Sequence, residues 1–438
     1  MLSTLPSVEW TLDSLARARR LTAEFRREFE GEPEFWTRAP GRVDLMGSHT
    51  DYNLGFVLTL PISKDTWIAA RARPDRMVRL RSVNLEDTDE FHLDEIRRAD
   101  GSKWRNYVRG VAAVLQQEGL KLHGCDAVIH STVPIESGLS SSAALECALA
   151  TVFEELADWS LSPERKARLC QKAENEFAGV SCGILDQFSA CLGLDGCALL
   201  LDCRDLSTST IRIDESIHIV ICNTMSPRRL SGGEYSQRRA ECEQGAAHLG
   251  VGALRDLAPA VLAERCGELN QSVARRCEFI VAENHRVEQL ARSLAANDRR
   301  SIADLCAASF AGARDLYEIV APAMETMMDW MLAAPGIVGA RQAGAGFGGC
   351  MVALVDAAQT DAFRASVAKS YARATRITPE VLARHRRPRR RSLSPLARVL
   401  FRWLPQPWAT QHTEVDAKDR LGLDDHARRT RILDSLPG

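Results

Sequence analysis

Apolar residues recur at helical spacing over residues 10–30, with Leu12, Leu15, Ala16 and Phe25 on one side among arginines, which predicts an opening helix. Between residues 35 and 83 the period shortens, and apolar runs at 56–62, 66–72 and 77–83 predict strands. A helix over 104–118 and a strand over 127–131 follow. Longer helical patterns cover 140–156, 163–177, 234–249, 272–296 and 302–318, and strands are expected at 198–202, 218–223 and 351–355. Helices interleaved with short strands predict an α/β or α+β protein with helices packed on sheets.

From Arg384 the character changes to Arg-His-Arg-Arg-Pro-Arg-Arg-Arg, a block of like charge that resists compaction. The folded body is therefore expected to end near residue 380, with a basic, poorly ordered tail over 381–438. The remaining composition is ordinary: 438 residues, 45% apolar, 26% charged, and a formal net charge of -2. That balance excludes a protein built mainly to coat nucleic acid, which needs a basic field. No stretch is long and apolar enough to cross a bilayer, and the N-terminus lacks the apolar core of a secretion signal. The 13 cysteines are odd in number and scattered from Cys125 to Cys350 without a C-x-x-C pair. They read as small, reduced residues in apolar settings, so a cytoplasmic protein is expected.

Three segments carry candidate chemistry. Val133-Pro-Ile-Glu-Ser-Gly-Leu-Ser-Ser-Ser-Ala-Ala-Leu145 follows an expected strand and opens an expected helix. Its Gly138 permits a tight turn, and Ser140, Ser141 and Ser142 set hydroxyls and backbone N–H groups at the positive end of the helix, where phosphates bind. It is not a Walker A loop, because no G-K-[ST] follows the glycine. Arg38-Ala-Pro-Gly-Arg-Val-Asp-Leu-Met-Gly-Ser-His-Thr-Asp-Tyr-Asn-Leu-Gly55 sets Arg42, Asp44, His49 and Asp51 among apolar neighbours. Burying these groups costs several kcal/mol, on the order of 2–7 for each unpaired polar group, unless they pair internally or meet a polar ligand such as a sugar. Gly339-Ala-Arg-Gln-Ala-Gly-Ala-Gly-Phe-Gly-Gly-Cys350 precedes a strand, and its glycines let backbone approach closely.

Taken in order, these segments resemble the signatures of the GHMP kinases, and within them the galactokinase branch, whose first signature reads like G-R-V-N-L-I-G-E-H-T-D-Y-N-x-G. Glu174 to Gln187 resembles the branch's carboxylate segment, and Trp104 to Gly110 its W-x-N-Y-x-x-G helix. Tyr235 to Cys242 and Glu283 to Val287 also fit, so the resemblance spans about residues 35–375. It implies an α+β, two-domain GHMP kinase fold. A ribosomal-protein-S5-like N-terminal domain would cover 1–205 and a ferredoxin-like C-terminal domain 206–380, with the active site between them. It implies ATP and Mg²⁺ as cofactors, a small-molecule sugar as partner, and a monomer or weak homodimer. By the same resemblance Asp186 would be the general base, with Arg42 beside it stabilising charge. Ser142 and Glu174 would hold Mg²⁺, while Gly138, Leu139, Ser140, Ser141, Gly344, Gly346 and Trp104 would contact ATP. Asp44, Ser48, His49, Asp51, Gly183 and Tyr235 would line the sugar.

The chain departs from the branch at Ser48, where Glu is usual, and at Asp44, where Asn is usual. Ala343 replaces Thr, Glu136 replaces a common Gly, and the apolar strand expected after the last helix is not evident. The resemblance implies phosphorylation of galactose at its anomeric hydroxyl. Serine at 48 brings no charge, which leaves the same chemistry on galacturonate or arabinose as a second reading. A sugar and ATP sensor without turnover is a third.

Overall fold

The computed structural model describes residues 12–135, 137–180, 182–226 and 233–383. The arginine-rich stretch from Arg384 on, expected as a tail, lies outside them, as does Glu136. The chain opens with α1 (Leu12–Phe29), β1 (Phe35–Met46), β2 (Phe56–Ala72), β3 (Met77–Ser82) and β4 (Asp87–His92). There follow α2 (Lys103–Gln117), β5 (Cys125–Ser131), α3 (Ser141–Ala157), α4 (Pro163–Lys172), α5 (Leu185–Leu192), β6 (Cys197–Asp202) and β7 (Thr208–Arg212). The second half holds β8 (Ile217–Asn223), α6 (Glu234–Leu249), α7 (Pro259–Arg265), α8 (Gln271–Ala296), α9 (Arg299–Asp315) and α10 (Pro322–Leu332). It closes with β9 (Ile337–Gln342), β10 (Cys350–Asp356), α11 (Thr360–Thr375) and β11 (Glu380–Ala383).

Two sheets organise these elements. The first has seven strands in the order β4-β3-β5-β2-β6-β7, with β1 paired antiparallel to β2. The second has four strands in the order β11-β8-β10-β9. Numbered from β8, that order is 4-1-3-2 with helices in both crossovers, which is the ferredoxin-like arrangement. Helices α2 to α5 cover one face of the first sheet, through a core that includes Val108, Leu149, Phe153 and Phe188. A second core joins the two sheets: Val43, Leu45, Leu58 and Leu60 meet Ile219, Ile221, Val352 and Leu354 across Leu290 and Leu294 of α8. The site is thus built on strands held rigid from two sides.

Several expectations shift. The runs at 56–62 and 66–72 form one strand, because β1 pairs with both halves and absorbs the polar Ser63-Lys64-Asp65 step as an irregularity between Pro40 and Arg42. The opening helix turns Ala18, Leu21 and Phe25 onto the sheet and leaves Ala16 exposed. The helix expected over 163–177 ends at Lys172 and continues as a π-helical turn, Ala173–Ala178. The strand expected to be missing after the last helix is present as the short β11, paired with β8. The boundary expected at 205 falls inside the first sheet, since β7 pairs with β6. No disulfide joins any of the cysteines. Among the described residues no helix is long and apolar enough to cross a membrane.

One buried ion pair fixes the helices that carry the phosphate turn and the carboxylate segment. Lys166 of α4, 1% exposed, donates to Thr151 Oγ1 of α3 at 3.0 Å and pairs with Glu154 of α3. Glu154 also accepts the Leu161 backbone N–H at 2.8 Å. Removing the cation leaves a buried carboxylate without its partner, which costs about 3–5 kcal/mol. Lys166→Met is expected to lower stability by about that amount in urea unfolding; a loss below about 1 kcal/mol, the worth of an exposed pair, would contradict the clamp.

Candidate active site

On β1 side chains alternate, so Arg42 and Asp44 share one face while Val43 and Leu45 enter the core beneath. Arg42 reaches across to the turn before α3 and to the first turn of α5. Its Nε donates to Asp186 Oδ1 at 2.9 Å, Nη2 donates to the same oxygen at 2.5 Å, and Nη1 donates to the Gly138 carbonyl at 2.6 Å. The Arg42 backbone N–H donates to the Leu139 carbonyl at 3.1 Å. The Arg42 side chain is 7% exposed and that of Asp186 22%, so the pair is anchored in the wall with the carboxylate open to the cleft.

The serine-rich turn enters α3 through Ser140, whose φ of 61° is rare for a residue with a side chain. Its buried Oγ has no hydrogen-bond partner among the described residues. With Ser141 and Ser142 it lines the cleft at the positive end of a 17-residue helix. An orphaned hydroxyl and free helix N–H groups are what a phosphate satisfies, so these residues fit a nucleotide's phosphates. Ser142 stands beside Glu174 of the π-helical turn and works to lower its carboxyl. Burial pushes the Glu174 carboxyl up to about 7, with the Asp186 charge adding to the rise. Gln187 Nε2 donates to Glu174 Oε2 at 2.7 Å and to the buried Glu146 Oε2 at 3.1 Å. Among the described residues no three His, Cys, Asp or Glu side chains converge as a metal site. One carboxylate and one hydroxyl beside a phosphate site is the donor set of Mg²⁺, which takes its other oxygens from phosphates and water.

At the sugar end predicted from the sequence, Asp51 is 6% exposed and its carboxyl is pushed up to about 6 by burial, with Asp186 and Asp44 also raising it. Gly183 stands against it: a β-carbon there would fall on Asp51 Oδ2, so glycine is required for the approach. His49 lines the cleft, yet both its ring nitrogens are committed to the protein. Nε2 lies 2.9 Å from the Ala345 carbonyl, which can only accept, so it carries the proton. Nδ1 then accepts from the Tyr52 hydroxyl at 2.8 Å, and Tyr317 donates in turn to Tyr52 at 2.7 Å. Burial pushes the imidazole down to about 4, so it is neutral at pH 7. His49 therefore faces the cleft with ring carbon and acts as a strut. Tyr235 packs against it, ring centroids 5.1 Å apart.

These groups converge on one cleft of about 590 Å³. It brings together Arg42, Asp44, Ser48, His49, Asp51, Trp104, Gly138, Ser140, Ser141, Ser142, Glu174, Gly183, Asp186, Tyr235 and Gly344. Gly344, at φ 70°, lets the glycine-rich bend approach the serine-rich turn: a β-carbon would sit 3.2 Å from the Gly138 carbonyl. Leu139 and Gly346 do not line the cleft. The Leu139 side chain is core, and Gly346 is packed on Ile319. Trp104 is a wall only, its indole N–H given to Asp87 Oδ2 at 2.8 Å. Ser82, Asn84, Lys103, Tyr107 and Phe347 also line the cleft and were not singled out in the sequence, although Tyr107 and Phe347 fall within segments quoted there.

Known proteins resemble this chain in sequence and fold. Residues 23–72 match the galactokinase galactose-binding signature, 106–194 the GHMP kinases N terminal domain, and 289–373 the GHMP kinases C terminal domain. A galactokinase of Chloroflexus aggregans is 44% identical over 355 residues, covering 80% of this chain and 91% of the relative. A galactokinase of a Roseiflexus species is 41% identical over 360 residues, covering 81% and 92%. The crystal structure of Lactococcus lactis galactokinase complexed with galactose superposes with a TM-score of 0.79 at 32% identity, over 85% of this chain and 97% of that one. With both sheets, the phosphate turn and the sugar signature in their family places, the chain belongs to the galactokinase branch of the GHMP kinases.

Proposed function

We propose that the protein acts as a galactokinase, transferring the γ-phosphoryl group of ATP to the anomeric hydroxyl of galactose to give galactose 1-phosphate and ADP. The observation that carries this reading is the Arg42 guanidinium, which ties the Asp186 carboxylate to the Gly138 carbonyl of the phosphate turn. A base and a phosphate cradle joined by one cation serve a reaction that moves a phosphoryl group onto a hydroxyl.

In this reading Asp186 accepts the proton of the C1 hydroxyl as its oxygen attacks the γ-phosphorus and the bond to the β-phosphate oxygen breaks. Arg42, already bonded to that carboxylate, holds its orientation and offsets negative charge as the phosphoryl group moves. Ser140, Ser141 and the N–H groups opening α3 would hold the nucleotide phosphates, and Ser142 with Glu174 would hold Mg²⁺. When bound, the ion neutralises phosphate charge and fixes the phosphate oxygens. Asp51 accepts from sugar hydroxyls, Gly183 gives it room, and Tyr235 closes the wall beside them.

Two measurements test these roles. Asp186→Asn keeps the shape but removes the base, and kcat in an ADP-release assay with galactose should fall by about 10²–10⁴ while ATP binding persists; activity within about tenfold of wild type would remove the base assignment. The Asp51 carboxyl, pushed up to about 6, is protonated below that pH and offers both oxygens as acceptors to sugar hydroxyls only above it. Hence kcat/KM for galactose should rise as pH increases from about 5 to 7, and Asp51→Asn should reduce that rise, leaving the part that comes from Glu174, pushed up to about 7. A wild-type profile already flat over that range would contradict the assignment.

A further inference from the structure

Beside the reacting pair, the cleft wall holds a buried charge cluster that the reaction as described does not use. Asp44 Oδ2 accepts from Ser48 Oγ at 2.7 Å and lies 3.7 Å from Arg341 Nη1. Arg341 Nη2 donates to Ser48 Oγ at 2.9 Å and to Glu283 Oε1 at 3.1 Å. Its Nε donates to Ser309 Oγ at 3.0 Å, and Arg286 Nε donates to Glu283 Oε2 at 2.8 Å. Arg341 and Glu283 are fully buried, and Asp44 and Ser48 are 1% and 2% exposed. Yet Asp44 and Ser48 line the cleft, and Asp44 Oδ1 has no hydrogen-bond partner among the described residues. A buried acceptor left without a donor costs about 1–3 kcal/mol, and in a sugar site the missing donor is a hydroxyl.

We propose that Asp44 is a specificity-determining sugar ligand, its Oδ1 accepting a hydrogen bond from a sugar hydroxyl other than the anomeric one. Ser48 is its positioning residue, and Arg341 anchors both. This deepens the sugar-kinase reading and rests on it. The two departures from the branch in this segment, Asp for Asn at 44 and Ser for Glu at 48, touch each other through the Ser48–Asp44 hydrogen bond. The carboxylate lost at 48 is returned at 44, so the wall keeps its formal charge. Arg341 and Arg286 then face Asp44 and Glu283, two cations against two carboxylates. Burial raises the Asp44 carboxyl's affinity for a proton, while Arg341, Ser48 and Arg42 oppose that rise. A uronic acid would bring one more carboxylate to a wall with no cation left over, whereas an uncharged sugar would not. Ser48 therefore does not open the site to galacturonate, and the preferred substrate class is a neutral hexose.

The test compares wild type, Asp44→Asn, Ser48→Ala and the double exchange Asp44→Asn with Ser48→Glu, each assayed on galactose and galacturonate with thermal unfolding as the folding control. Wild type should favour galactose. Asp44→Asn should raise its KM for galactose about tenfold or more with a smaller effect on kcat, and narrow the preference over galacturonate. Ser48→Ala should shift KM the same way by less. The double exchange should recover galactose KM to within about threefold of wild type, which a merely structural role for Asp44 would not produce. A wild-type preference for galacturonate, a KM for Asp44→Asn within about twofold of wild type, or a double exchange no better than Asp44→Asn alone would overturn the proposal. Failure of wild type to turn over either sugar while still binding ATP would instead sink the sugar-kinase reading beneath it.

Discussion

The guanidinium of Arg42 is the constraint on which the site depends. It is nearly buried, and its donors go to a carboxylate on α5 and a carbonyl in the turn before α3, elements 144 and 96 residues away in sequence. A buried cation must be satisfied, so β1, the phosphate turn and α5 cannot move independently without leaving it unpaired. The core beneath enforces the same geometry, since Val43 and Leu45 are locked between the sheets while Arg42 and Asp44 face the cleft. Stability and chemistry therefore rest on the same strand.

Around this cation the cleft gathers acids. Asp44, Asp51 and Glu174 all have carboxyls raised by burial, and Asp186 adds to the rise at Asp51 and Glu174. In the proposed reaction, sugar hydroxyls donate to these acids and a divalent cation with the nucleotide phosphates offsets their charge. The fold tolerates this because the structural acids elsewhere are paired. Burial works to raise Glu283, and Arg341 and Arg286 more than offset it, holding that carboxyl below its ordinary range. Asp126 is likewise surrounded by Arg71, Arg73 and Arg79.

Much of this was legible in the sequence. Helices α6 and α8 fall within a residue of the spans expected over 234–249 and 272–296. The serine-rich turn declared its helix start, and the resemblance set Arg42 beside Asp186 across a separation that no periodicity encodes. What was not legible is long-range. The polar step at Ser63 to Asp65 reads as a break, but pairing with β1 and the buried contact of Asp65 with Arg38 carry the strand through it. The short β11 is only partly buried and shows no clear alternation, so only its pairing with β8 reveals it. His49 looks like a ligand in its motif, whereas its hydrogen bonds to Tyr52 and Ala345 make it structural. Ser48 read alone suggests a lost charge, and its bond to Asp44 is visible only in the fold.

In the proposed reaction one carboxylate, held by Arg42 at the mouth of a phosphate-binding helix, directs phosphoryl transfer to a sugar's reducing end. ³¹P NMR of the product formed from ATP and galactose tests it most directly. The expected product is a single sugar phosphate whose phosphorus couples to the anomeric proton, formed one for one with ADP. A phosphate carried on the exocyclic carbon, or inorganic phosphate released without sugar phosphate, would contradict it.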